Sequence, residues 1–116
     1  MIETTLIAYL NEQLPVEAYA EYPENAPAQF VLIEKTGSGL TNRLSRATVA
    51  VQSYGDSLLD AMELNEQVKE VMDALPDELD SITRSKLNSD YNFTDTSTRK
   101  YRYQAVYDIK YYKEDV

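Results

Sequence analysis

The sequence predicts an α+β domain: a mostly antiparallel β-sheet of about five strands with two helices packed on one face, in the order α-β-β-β-α-β-β. Three observations predict it. Residues 2 to about 14 and 58 to 75 carry apolar side chains at three- and four-residue spacing, the mark of an amphipathic helix. The segments between and after them hold runs of β-branched and aromatic residues. The last third, from Arg84 to Tyr112, reads as two long strands folded back on each other, rich in tyrosine and without glycine, cysteine or histidine.

The first helix follows from Ile2, Leu6, Tyr9, Leu10 and Leu14 on one face, with Glu3 in the first turn where the helix dipole favours an anion. Pro15 stops it, because the residue before a proline avoids helical angles. Val16 to Glu21 alternates and reads as a short first strand. Tyr22 to Pro27, with Pro23 and Pro27, reads as a stiff, extended connection. Gln29 to Lys35 holds the compact apolar run Phe30-Val31-Leu32-Ile33, a second strand. Gly37, Ser38, Gly39, Leu40, Thr41 and Asn42 then read as a mobile hairpin tip.

Arg43 to Tyr54 reads as a longer strand, broken by Gly55. Ser57-Leu58-Leu59-Asp60 resembles a capping box and opens the second helix. Leu58, Ala61, Met62, Asn65, Val68, Met72 and Leu75 lie along its predicted apolar face, and Pro76 ends it. Asp77 to Asp80 reads as an acidic, solvated turn. Ser81 to Phe93 is the fourth strand, with Ile82, Arg84, Lys86 and Asn88 on one face and Thr83, Ser85, Leu87 and Ser89 on the other. After a polar turn at Thr94 to Ser97, Arg99 to Tyr112 is the fifth strand. Tyr101, Tyr103, Ala105, Tyr107, Ile109 and Tyr111 share one of its faces. The tail from Lys113 reads as frayed. The opposite sheet face is expected to be more polar and free to meet partners.

Composition narrows the function. A chain of 116 residues forms one domain and buries a core without disulfides or metals. Twenty acids against 11 bases give a formal charge of −9, the wrong sign for holding a duplex by its phosphates. The local basic groups, Arg43 with Arg46, Arg84 with Lys86, and Arg99 with Lys100 and Arg102, read as solvated strand faces. An acidic DNA mimic needs acids arrayed densely along one face, whereas here they are dispersed among bases. Met1 to Thr5 lacks the basic start of a signal peptide, and no apolar run approaches the roughly 20 residues of a membrane helix, so folding in the cytoplasm is expected. The sequon Asn92-Phe93-Thr94 is then a chance match.

With neither histidine nor cysteine, Ser-His and Cys-His triads and zinc sites built on those ligands are excluded. Gly37-Ser38-Gly39 does not make a phosphate cradle. Pro76-Asp77 with Asp108-Ile109-Lys110 echoes the proline-aspartate and aspartate-x-lysine pattern of Mg²⁺-dependent nucleases, in which paired carboxylates hold the ion and a lysine positions water. Asp77 falls outside a strand, however, and the match rests on common residues. Asp90 and Asp95 lack the ligand spacing of a Ca²⁺ loop. No catalytic residue, cofactor or metal is expected. The ten tyrosines carry the firmer signal: Tyr101, Tyr103 and Tyr107 read either as cross-strand packing or as a subunit interface.

Three stretches carry a family resemblance: Phe30 to Gly37; Val51 to Tyr54 with Glu63 to Val68; and Lys86 to Asp95 with Tyr101 to Tyr107. They resemble small proteins from the tail modules of long-tailed (siphovirus) phages and of prophages in Gram-positive bacteria. The resemblance spans residues 2 to 112 and rests on structural residues, with no catalytic signature. It implies a tail terminator or tail completion protein: helices on a sheet, no enzymatic activity, no cofactor, and a homo-hexameric ring that caps the tail tube. Its implied partners are copies of itself, the tail tube protein and the head-tail connector proteins, and its implied location is the virion tail. DNA would pass through the ring without specific binding, which an acidic lumen favours. A head-completion or connector protein of the same particle fits the same residues. In that setting Gly37 to Asn42 is the candidate docking loop, ordering when it binds, and Tyr101 with Tyr103 and Tyr107 the candidate subunit contact.

Overall fold

A computed structural model describes residues 1–116. In chain order the elements are α1 (Ile2–Gln13), β1 (Ala18–Tyr19), β2 (Phe30–Thr41), β3 (Leu44–Gly55), α2 (Leu58–Asp73), α3 (Leu75–Glu78), β4 (Ile82–Asn92) and β5 (Tyr101–Tyr111), with a 3₁₀ turn at Lys113–Asp115. The fold is α+β. One five-stranded sheet runs β1-β2-β3-β5-β4. Only the β1–β2 pair is parallel, which makes the sheet mixed. β3 and β4 both pair antiparallel with β5, so α2 crosses over the slot that β5 fills.

Both long helices lie on one sheet face, and the core sits between the two layers. Ile2, Leu6, Tyr9, Leu10 and Leu14 of the first helical segment are all buried, as their spacing predicts. They meet Val31 and Ile33 of β2, Ala47, Val49 and Val51 of β3, and Ala105, Tyr107, Ile109 and Tyr111 of β5 in one continuous cluster. The Ser57 hydroxyl caps α2 by accepting from the Asp60 N–H at 3.1 Å, as the capping-box reading predicts. The helix is rotated slightly from expectation: Leu64 is buried, while Leu58 and Met62 reach solvent. Gly55 explains how α2 can start so close to β3. A Cβ there would lie 2.7 Å from the Ala61 nitrogen and 2.8 Å from the Asp60 Cβ.

Four local expectations are corrected. Pro76 does not lead into a turn. It sits in the first turn of the short helix α3, where proline's missing N–H has no helical partner to lose, so Asp77 and Glu78 are helical. The first strand shrinks from Val16–Glu21 to two residues. The supposed hairpin tip at Gly37–Asn42 is mostly sheet: β2 stays paired with β3 from Gly37↔Thr48 through Thr41↔Leu44. The turn is only Asn42-Arg43, both at positive φ (50° and 68°), the two-residue hairpin geometry that matches strand twist. Finally, the face assignment along the fourth strand fails, because β4 has register shifts between Ile82 and Arg84 and between Leu87 and Ser89. Each inserts one residue and reverses the alternation beyond it. Ile82, Ser85, Leu87 and Asp90 therefore share the helix side, and Arg84, Lys86 and Tyr91 the other.

A bulge at Thr36 does the same to β2. Before it, Lys35 points to the helix side and pairs with Glu3 of α1 at 3.6 Å. After it, Gly37 and Gly39 lie on the open side, beside Thr48 and Arg46.

Candidate functional site

The open sheet face divides into two halves of opposite character. Neither is simply the free polar surface expected. One half is an aromatic and amide cluster whose amides are buried and whose outer rings, Tyr22, Tyr91 and Phe93, reach solvent. The ten residues between β1 and β2 carry the chain back for a parallel pairing, and on the way Tyr22 drops onto the sheet. Its ring meets Phe30 at 5.4 Å and Tyr54 at 5.6 Å, both edge-on, while Phe30 and Tyr54 stack at 4.5 Å. Lys100 lies over the Tyr22 ring at 4.2 Å, and Arg102 over Phe93 at 4.4 Å. These edge-to-face, stacked and cation–π geometries suit the negative faces of the rings.

Beneath them runs a chain of hydrogen bonds across three strands. Arg102 donates to the Tyr54 hydroxyl at 2.8 Å, and Tyr54 donates to Gln52 at 3.2 Å. Gln52 donates to Gln104 at 2.8 Å, and Gln104 to the Tyr91 hydroxyl at 2.6 Å. Gln52 and Gln104 are buried, so the bonds they make satisfy amide groups withdrawn from water. This half of the face is structural in geometry.

The other half is a basic trough of about 630 Å³. Strand register builds it. Arg46 of β3 stands directly opposite Lys110 of β5, and Lys110 opposite Arg84 of β4. One row further along, Thr48, Asp108 and Lys86 align in the same way. Gly37 and Gly39 form the β2 wall, and the Arg46 guanidinium lies over Gly39, 2.9 Å from where a Cβ would be. Four cations and one carboxylate thus line the trough. The carboxylate is taken up by neutral groups: Asp108 accepts from Thr48 Oγ1 and from Asn88 Nδ2, each at 3.0 Å. The ion pairs of the chain join Lys35 to Glu3 and Lys69 to Glu66 and Asp90, so none involves a trough cation.

The residues singled out from the sequence are scattered by the fold. Tyr107 is fully buried on the helix side, and its hydroxyl donates to Asp73 Oδ1 at 2.8 Å and to the Lys69 carbonyl at 3.3 Å. Burial first, then the bond to Asp73, push its pKa far above the usual tyrosine range. It is a core residue and has no surface to offer a neighbour. Tyr101 and Tyr103 are half-buried toward the other end of the same strand face. Asp77 lies in the helix layer, whereas Asp108 and Lys110 lie on the open face, so the nuclease-like set does not gather. No three acidic side chains cluster at metal-binding separations. Asp90 is held by Lys69 at 2.8 Å and Asn65 at 3.1 Å on the helix side. That bond, then the one to Glu66, raises the Lys69 pKa. Asp95 folds onto its own turn, and the Ser97 hydroxyl, then that of Thr98, hold its carboxyl below the ordinary range.

Sequence reading missed the trough. Its residues were visible as pairs, but their convergence depends on β5 lying between β3 and β4 and on the bulges that turn Arg84, Lys86, Gly37 and Gly39 to one side. No family model matches the chain, and no curated protein sequence matches it.

Proposed function

We propose that this chain is a structural assembly protein of a phage tail, a terminator that forms a ring, caps the tail tube and offers the head a docking surface. The observation that carries this reading is the one-sided packing of the fold. The helices lie on the sheet, as the family resemblance implies, they cover a single face of it, and the outer strands keep unpaired edges. β1 pairs with β2 only at Val31 and Leu32, which leaves β2 beyond them open, and β4 has no outer neighbour. Such edges and faces suit contact with copies of the chain and with the tube. The charge of −9 suits a channel through which DNA slides.

Electron microscopy of particles assembled without the protein tests the reading. Overlong tails are the expected result. Heads without tails would replace the terminator role by a connector role, and normal particles would refute both. Replacing half-buried Tyr101 and Tyr103 together by Glu is expected to prevent assembly, read as mass in solution.

A further inference from the structure

We infer that the basic trough is the docking site for the acidic corner of a second copy of this chain, a contact that would join copies head to tail. The inference rests on the assembly reading above and names the surfaces that carry it. The row of trough cations carries a local penalty. Like charges directly opposite each other on neighbouring strands destabilise a sheet. Here three cations, Arg46, Lys110 and Arg84, stand in one row across three strands; one row along, Lys86 stands opposite Asp108, whose carboxylate is engaged by Thr48 and Asn88. No carboxylate of the same copy pairs with any of them. An anionic partner would remove that penalty. Gly39, with no side chain, leaves the space in which the Arg46 guanidinium lies along the trough wall.

The same molecule carries a matching surface. Asp77, Glu78 and Asp80 follow α2, and Glu114 and Asp115 follow β5; all five are exposed. The two segments meet at one corner, where the Tyr112 N–H donates to the Ser81 carbonyl at 2.9 Å. Lys113 is the one base among them. Because α3 belongs to the helix layer, this corner and the trough face opposite sides of the sheet. A copy therefore cannot satisfy its own trough. Two different patches that complement each other make a heterologous contact, which closes into a ring when the rotation allows. Charges beyond about 8 Å are screened at physiological salt, so the local patches outweigh the repulsion between two chains of −9. A nucleic acid duplex fits less well. The net charge of −9 repels its phosphates, and the trough offers only four cations to hold them.

The absence of cysteine makes the test clean. Lys110→Cys and Glu78→Cys variants are mixed and oxidised. Cross-linked dimers are expected to form mainly in the mixture, and to fade as salt is raised from about 0.1 to about 1 M, where the screening length drops from about 10 to about 3 Å. Arg84→Glu with Lys110→Glu should weaken self-association at least about tenfold in sedimentation. Mixing that chain with Asp77→Lys, Asp80→Lys protein should restore it, and melting curves check that each variant folds. Cross-linking no stronger in the mixture than in either variant alone, or association unchanged by the charge reversal, would overturn the proposal while leaving the terminator reading intact. So would wild-type protein that stays monomeric yet binds a labelled duplex through Arg84 and Lys110. Overlong tails in particles lacking the protein speak to the terminator reading alone.

Discussion

Replacing Tyr107 by Phe should lower stability at neutral pH and lose part of the alkaline instability of the fold. The ring stays and fills the same space, so no cavity opens; what goes is the bond from the hydroxyl to Asp73 Oδ1 at 2.8 Å. A hydrogen bond to a charged acceptor contributes about 1.5–3 kcal/mol. Asp73 is exposed, so water replaces the donor, and the low end, about 1.5 kcal/mol, applies. For a domain of this size that is a drop in Tm of about 6 °C.

The pH dependence has a definite sign. The folded-state pKa of Tyr107 is raised, so its contribution is whole below the unfolded-state value of about 10 and is lost as pH climbs from there toward the folded value. Over that window the wild type loses about 1.4 kcal/mol per pH unit that the Phe variant does not lose. The two stabilities should therefore converge near pH 11. Urea titrations at pH 7, 9, 10 and 11 read the gap directly. A gap that stays constant to pH 11, or a Phe variant as stable as wild type at pH 7, would refute the account. Self-association should be unchanged, since Tyr107 has no exposed surface.

Other substitutions probe the remaining structural arguments. Gly55→Ala should destabilise by about 1–3 kcal/mol in thermal melts, because its Cβ meets the backbone of α2 at 2.7 Å, which no side-chain rotation can relieve. Arg43→Gly should raise the urea midpoint by an amount worth up to about 1 kcal/mol, since Arg43 holds φ at 68° in the two-residue turn. Gln104→Leu should cost about 1–3 kcal/mol by leaving the buried Gln52 amide without its acceptor, and adding Gln52→Leu should recover most of that loss, an interaction energy that a double-mutant cycle measures.

What the sequence makes legible follows the reach of each physical rule. Periodicity found both long helices and all the long strands, because burial of Ile2, Leu6, Leu10, Val68 and Met72 is decided within a few turns of chain. It misread Gly37 to Thr41, where turn-forming composition is overridden by pairing to β3. It misassigned the faces of the fourth strand for a related reason. An inserted residue at Thr83 or Asn88 leaves no mark on the residues around it, yet it reverses every side chain that follows. The tyrosines show the same limit. Alternation correctly placed Tyr107 with Ala105 and Ile109, but only the packed fold says that this face is the core there and partly open at Tyr101 and Tyr103. The trough lies furthest from the sequence, since its row of cations comes from three strands, one of them bulged, and its glycine wall from a second bulged strand.

The two halves of the open face are connected, and the connection bears on how a contact made there would be held. β3 and β5 run through both: Gln52 and Gln104 join at one end, and Arg46 and Lys110 stand opposite at the other. Between them, Ala50 pairs with Val106, and Thr48 with Asp108. The buried amide bond and the Arg102–Tyr54 hydrogen bond hold these two strands in register at that end. Register on β-strands is all or nothing, since a slip of one residue turns every side chain over. The amide end therefore keeps Arg46 beside Lys110 despite their repulsion, and the row stays aligned before any partner arrives. An anionic partner then meets cations already in position, so little ordering of the strands offsets the charge attraction when it binds.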